Sequence, residues 1–273
     1  MSGLFKPLVA GPARHLVRLL REPDYRALAR LESALDGRPR YTPSRARVRA
    51  WTLEIPDAAS FLASYREIFV ERQLAFPWSG SPPRILDLGA NVGLSVMFFR
   101  AAHPLAPITA VEADPAIFGY LEKNLSSNAI TGVELLHRAA WTGPGRVPFR
   151  PEGADGGRAG AAAGTPGTIE VEALDIPALL DARPFDVIKM DIEGAEAVVL
   201  PACRAGLARA RFVAVEYHSS VGEPQALAEI LTVLKDCGFR VHVREAITSP
   251  KPFVSVRSHA GFDLQLNLFA WKP

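Results

Sequence analysis

The chain of 273 residues has little cysteine. Its two cysteines, Cys203 and Cys237, do not form a CxxC pair, which argues against a zinc ribbon or a thioredoxin-type redox centre. Two free, buried thiols in a reducing cytoplasm are expected instead. Long apolar runs are missing too. None approaches the ~18 residues that would span a bilayer, so no transmembrane segment is expected. The opening stretch, MSGLFKPLVAGPARHLVRLLRE, lacks a small-residue cleavage site after a long apolar core, so a signal peptide is not expected. Charge of one sign is scarce as well. The 31 Lys and Arg against 29 Asp and Glu leave a formal net charge of +2, too even for the concentrated basic patch of a nucleic-acid binder. There is no internal repeat. What remains is an ordinary globular composition, 48% hydrophobic and 22% charged, long enough to bury one large core.

Residues 1–80 read as an N-terminal helical extension. His15 to Leu35 forms one or two amphipathic helices, with Leu16, Leu19 and Leu20 on one face and Leu28, Leu31 and Leu35 on another. The expected role is a helical cap, with a basic membrane-surface helix as the alternative. Arg47–Ile55 reads as a strand. Asp57–Glu71 reads as a helix carrying Phe61, Tyr65 and Ile68 at helical spacing.

From residue 81 to 273 strands and helices alternate. Residues 84–89, 108–112, 133–136, 186–191 and 212–218 are short buried strands, and 92–102, 115–126 and a stretch from 195 are helices between them. This alternation predicts a doubly wound, mostly parallel seven-stranded sheet with helices on both faces, a Rossmann-like α/β fold. The last two strands, 239–244 and 264–271, have no helix between them and are expected to pair antiparallel. Residues 152–167 are rich in Gly and Ala and read as a mobile loop. Residues 168–173 are extended, with a short helix near 176–180.

The strongest local signal is Asp87-Leu88-Gly89-Ala90-Asn91-Val92-Gly93, a turn between a buried strand and a helix. Glycines there let the backbone bend tightly and a ligand come close. A dinucleotide site would carry G-x-G-x-x-G. Asn91 stands where the second glycine belongs, which suits a ligand with an amino-acid head whose ammonium Asp87 can attract. Glu112 ends the following strand, where nucleoside sites keep a carboxylate for the ribose hydroxyls.

Open parallel sheets bind ligands beyond the C-terminal strand ends. There the fourth strand offers Asp191, Glu193 and Glu196, and the fifth offers Glu216 and His218. His218, with an ordinary pKa of ~6.5, is a candidate general base, and Asp191 and Glu216 are candidates to orient an acceptor or take its proton. The structural alternatives are that Lys189 pairs with Asp191 or Glu216, and that Glu196 serves only the dipole of the next helix. Nothing in the spacing fixes a metal geometry, and no metal is expected. The other histidines, His15, His103, His137, His242 and His259, have no partner spacing.

Three blocks, IleLeuAspLeuGlyAlaAsnValGlyLeuSer, AlaValGluAlaAspPro and LysMetAspIleGluGlyAlaGlu, resemble the FkbM-type methyltransferases over residues 84–218. The resemblance implies a class I methyltransferase fold and S-adenosylmethionine as methyl donor. It also implies O-methylation of a hydroxyl on a small molecule, a sugar or natural product. It puts Asp87, Gly89, Asn91, Gly93 and Glu112 on cofactor positions. Two other readings are a nicotinamide-dependent oxidoreductase, which Asn91 disfavours, and a non-catalytic cofactor-binding partner subunit. Asp191-Ile192-Glu193-Gly194 is not the Asp/Asn-Pro-Pro-aromatic stretch of base-amino methyltransferases, so no nucleic-acid substrate is expected.

Overall fold

A computed structural model describes residues 10–160 and 165–273. Residues 1–9 of the opening stretch and 161–164 of the Gly/Ala-rich loop lie outside the described residues. The chain divides into two units between Ala75 and Phe76.

The first unit holds helices α1 (Ala10–Arg21) and α2 (Pro23–Leu35), strands β1 (Ser44–Val48) and β2 (Trp51–Ile55), and helix α3 (Ala58–Tyr65), which runs into a π-helical turn, Arg66–Val70. Leu28, Leu31 and Leu35 are buried as their spacing requires, but Leu16 and Leu20 of α1 are exposed. Two expectations change here. Arg47–Ile55 is not one strand but part of a hairpin, because Arg49 takes φ +53 and turns the chain between Val48 and its partner Trp51. The buried aromatic row is Phe61, Tyr65 and Phe69, not Ile68. Phe69, four residues after Tyr65, carries the row on into the π-helical turn. Tyr65 and Phe69 stack with ring centroids 5.0 Å apart.

The second unit is built on a seven-stranded sheet. Its strands are β3 (Ile85–Leu88), β4 (Ile108–Glu112), β5 (Val133–His137), β10 (Val187–Met190), β11 (Phe212–Ser220), β12 (Arg240–Ile247) and β13 (Phe262–Trp271). Their order is β12-β13-β11-β10-β3-β4-β5. β3, β4, β5, β10 and β11 pair in parallel, while β13 runs antiparallel to both β11 and β12. The sheet is therefore mixed. β3 and β10 are buried at every position, as strands covered on both faces must be. Helices α4 (Leu94–Ala102), α5 (Pro115–Ser127), α6 (Ile176–Ala182), α7 (Glu196–Ala202), α8 (Arg204–Leu207) and α9 (Leu227–Asp236) connect the strands. Asp114 caps α5 by accepting from the Ala116 and Ile117 amides, with Pro115 in the first turn.

The stretch expected to be extended at 168–173 belongs to a second sheet, which the strand–helix alternation does not predict. Strands β6 (Ala139–Trp141), β7 (Gly145–Arg150), β8 (Arg158–Ala159) and β9 (Ile169–Asp175) form it in the order β6-β9-β7-β8. Ala139, Val147, Phe149, Val171 and Ala173 make its small core. The interval expected to be loop is thus partly structured, since Arg158 and Ala159 pair with Arg150 and Phe149. No helix among the described residues is long and apolar enough to cross a membrane.

The chain winds from β3 outward through β4 and β5, then returns to lay β10 and β11 on the other side of β3. The direction of winding reverses between β3 and β10. In an open α/β sheet the crevice at that point, beyond the C-terminal strand ends, is where ligands bind.

Candidate active site

The turn after β3 stands at this crevice. Gly89, Asn91 and Gly93 all adopt positive φ, at +76, +48 and +97. Asn tolerates the left-handed region better than other side-chain-bearing residues. Its Oδ1 accepts from the Val92 amide at 2.6 Å, and its Nδ2 donates to the Ala154 carbonyl at 3.2 Å. Gly89 is required sterically as well. A Cβ there would lie 1.8 Å from the Asp191 carbonyl oxygen, so the turn and the segment after β10 abut directly.

Glu112 ends β4, and each of its oxygens accepts one backbone amide, Asn91 and Asp114, both at 2.9 Å. Burial raises its pKa to about 7 against the lowering effect of these two bonds. The carboxylate therefore fixes the shape of the glycine turn and keeps further lone pairs for hydroxyl donors.

The Asp87 side chain is fully buried, with Oδ2 accepting from Ser95 Oγ at 2.5 Å and Oδ1 3.4 Å from Lys189 Nζ. The side chain lies beneath the turn, and its Oδ1 has the Lys189 ion pair but no hydrogen bond. Lys189 lies opposite Asp87 in register, so both side chains share one face of the sheet. Its ammonium is also 3.4 Å from Asp191 Oδ2 and donates to the Gly89 carbonyl at 2.8 Å. Burial works to lower the Lys189 pKa, but Asp87 and Asp191 outweigh it and hold the ammonium charged. The expected pairing with Asp191 is present, and Asp87, which the sequence did not suggest, is a second partner.

The acidic segment after β10 meets the end of β11. Glu216 and His218 sit two apart on β11 and so share a face. His218 Nε2 lies 3.6 Å from Glu193 and 3.7 Å from Glu216, and its Nδ1 lies 3.5 Å from Glu196. Phe262 covers the imidazole with ring centroids 4.7 Å apart, and Arg158 lies over the Phe262 ring. Burial lowers the His218 pKa, but Glu196, then Glu193 and Asp191, outweigh it and raise it to about 10. An imidazole near its ordinary value was expected. The actual setting keeps it protonated at neutral pH. Burial, reinforced by the neighbouring carboxylates and opposed by His218, raises Glu193 well above the usual carboxylate range.

Asp191, Glu196 and His218 bring potential ligand atoms within 4.8 Å of one another. Both Glu196 oxygens already accept backbone amides, and Asp191 faces Lys189. The cluster reads as an ion-pair network in which carboxylates outnumber cations. Glu196 is the residue whose part in it the sequence did not reveal. The helix start at Ala195 hinted at a dipole role, but its contact with His218 has no local signature.

A family model described as a methyltransferase FkbM domain matches residues 87–241. The 31-O-demethyl-FK506 methyltransferase FkbM of Streptomyces tacrolimicus is 28% identical over 221 residues, covering 67% of this chain and 82% of that protein. The methyltransferase sdnD of Sordaria araneosa is 34% identical over 86 residues, and the match spans 31% of this chain and about a third (33%) of that protein's length. The crystal structure of methyltransferase FkbM from Methylobacillus flagellatus KT has 16% identity and a TM-score of 0.49, covering 94% of this chain and 60% of that one.

Proposed function

The chain belongs to the methyltransferase FkbM domain family, and from that premise we propose that it moves the methyl group of S-adenosylmethionine to a hydroxyl of a small molecule, a sugar or natural product. The observation that carries this reading is the abutment of the glycine turn on the acidic segment, with no atom between the Gly89 backbone and the Asp191 carbonyl. A cofactor-type turn and a proton-holding cluster thus meet at one switch point.

The donor chemistry fits a cationic nucleoside cofactor. Glu112 offers acceptors for two ribose hydroxyls, and the carboxylate excess favours a positive group. Gly89, Asn91 and Gly93 would lie along the cofactor, with Asp87 bracing the turn from below through Ser95 and Lys189. The bound cofactor supplies an electrophilic methyl carbon. The chain's own task is to align the acceptor oxygen and take its proton. Asp191, 30% exposed and beside the turn, is our assigned proton acceptor. Glu216 shares the acceptor side with it. His218, protonated among Glu193, Glu196 and Glu216, offsets the carboxylate excess beside the acceptor.

The test is transfer from methyl-labelled cofactor to a panel of glycosides and polyketide-like alcohols, with thermal shift run alongside. S-adenosylhomocysteine should stabilise the protein and NAD should not. Stabilisation by NAD alone would reject the reading. Cofactor binding without transfer to any hydroxylated acceptor would turn it into a cofactor-binding subunit.

A further inference from the structure

Glu196 is completely buried, and an ionised carboxylate is costly to bury unless its oxygens are matched. Its partners come from two directions. Oε1 accepts from the Ile192 amide at 2.6 Å and Oε2 from the Gly194 amide at 2.8 Å. These are charge-assisted bonds from its own approach loop. That loop contains two successive left-handed residues, Glu193 at φ +55 and Gly194 at φ +101. For a glutamate this left-handed conformation is disfavoured and persists only where the surroundings impose it. From the other side His218 Nδ1 lies 3.5 Å from Oε1. That is an ion-pair distance without a hydrogen bond, and Nε2 faces Glu193 and Glu216 on the other side of the ring.

We propose that Glu196 is a positioning residue for the methyl transfer: one buried carboxylate closes the Asp191–Gly194 loop and, through Nδ1, sets the orientation and charge of His218. This rests on the methyl-transfer reading for its catalytic consequence only. The juxtaposition of Glu196, the loop amides and His218 stands without it. The ionisable groups facing the imidazole are Glu196 from α7, Glu193 and Asp191 from the loop, and Glu216 from β11, with Lys189 beyond Asp191 and Arg158 beyond Phe262.

The experiment is nuclear magnetic resonance titration of ring-labelled histidine in the whole chain, with His218→Asn to assign the signal among the six histidines. In the unmodified protein His218 should titrate well above the other histidines. In Glu196→Gln it should fall by at least about one pH unit, while Glu196→Asp, which keeps the charge, retains more of the elevation. In the same variants S-adenosylhomocysteine affinity should stay within about threefold. Turnover per folded molecule in Glu196→Gln should drop about tenfold to a hundredfold, as expected when a reacting group is misaligned. Glu196→Asp should recover part of that loss. A His218 that titrates with the other histidines in the unmodified protein overturns the proposal even if Glu196→Gln fails to fold. So does an unchanged titration in a folded Glu196→Gln. Transfer abolished by a chelator and restored by Mn²⁺, with Mn²⁺ binding lost in Glu196→Gln, would make Glu196 a metal ligand and also overturn it. The titration needs neither cofactor nor acceptor, so failure of the methyl-transfer reading would show separately, as absent turnover beside a displaced His218.

Discussion

Replacing Gly89 with alanine tests the joint between the glycine turn and the acidic segment. The added Cβ would sit 1.8 Å from the Asp191 carbonyl oxygen and 2.9 Å from its carbonyl carbon. Neither side yields easily. The Asp191 amide donates to the Leu88 carbonyl at 3.1 Å, and Lys189 grips the Gly89 carbonyl. Relief requires a shift of roughly 1 Å in buried backbone, comparable to overpacking at ~1–3 kcal/mol. A further ~1–2 kcal/mol comes from forcing a side chain to φ +76. The sum, ~2–5 kcal/mol, is a large share of an ordinary domain's ~5–15 kcal/mol. Urea midpoints and calorimetric titration of S-adenosylhomocysteine would be measured on three variants. Gly89→Ala should unfold earliest and bind worst. Gly80→Ala, at φ +93 with nothing within 4 Å, should bear the dihedral cost alone. Gly119→Ala, inside α5 with open space around it, should be neutral or stabilised by up to ~1 kcal/mol. A Gly89→Ala protein no less stable than Gly80→Ala, with unchanged ligand affinity, would refute the reasoning.

Glu112→Ala should weaken S-adenosylmethionine binding about tenfold to a hundredfold (~1.5–3 kcal/mol) by calorimetry, and some stability should go with it because Glu112 also holds the Asn91 and Asp114 amides. Since an ionised Glu112 accepts hydroxyls more strongly than a protonated one, cofactor affinity should rise as pH climbs through about 7, and a flat profile there would count against the ribose assignment. Asp191→Asn should cut single-turnover transfer by ~10²–10⁴ with cofactor affinity largely kept; near-normal turnover in a protein of lowered melting temperature would reduce Asp191 to a structural partner of Lys189. His218, raised to about 10 when folded, contributes stability that is fully present below its unfolded value of ~6.5 and lost as pH rises through about 10. Thermal melts should therefore fall across that range in the parent protein and less steeply in His218→Gln. Asp114→Ala removes the α5 cap and should cost ~0.5–2 kcal/mol in urea unfolding.

The amino-acid sequence by itself determined the framework of the larger unit. Buried runs such as Ile85–Leu88 and Val187–Met190 are legible as parallel strands because a strand covered on both faces has no polar phase. The turn from Asp87 to Gly93 and the carboxylate of Glu112 are legible because strand-end position and left-handed backbone restrict residue type locally. Tertiary structure alone decided the rest. In the second sheet only the extended stretch at 168–173 is legible locally; the other strands are two to six residues long, and the pairing joins distant segments, Ala139 with Ala173. Helical spacing allows either Ile68 or Phe69 after Tyr65, and only packing chose Phe69 as the buried one. Asp87 reads in sequence as a ligand contact, and only the fold sets its side chain deep beneath the turn, opposite Lys189. His218 shows the same limit in its chemistry. Its side chain names an imidazole near neutral pKa, but carboxylates from α7, β11 and the loop after β10 converge on it and keep its proton bound. A residue's type is local, but its ionisation is a sum over neighbours that only the fold brings together.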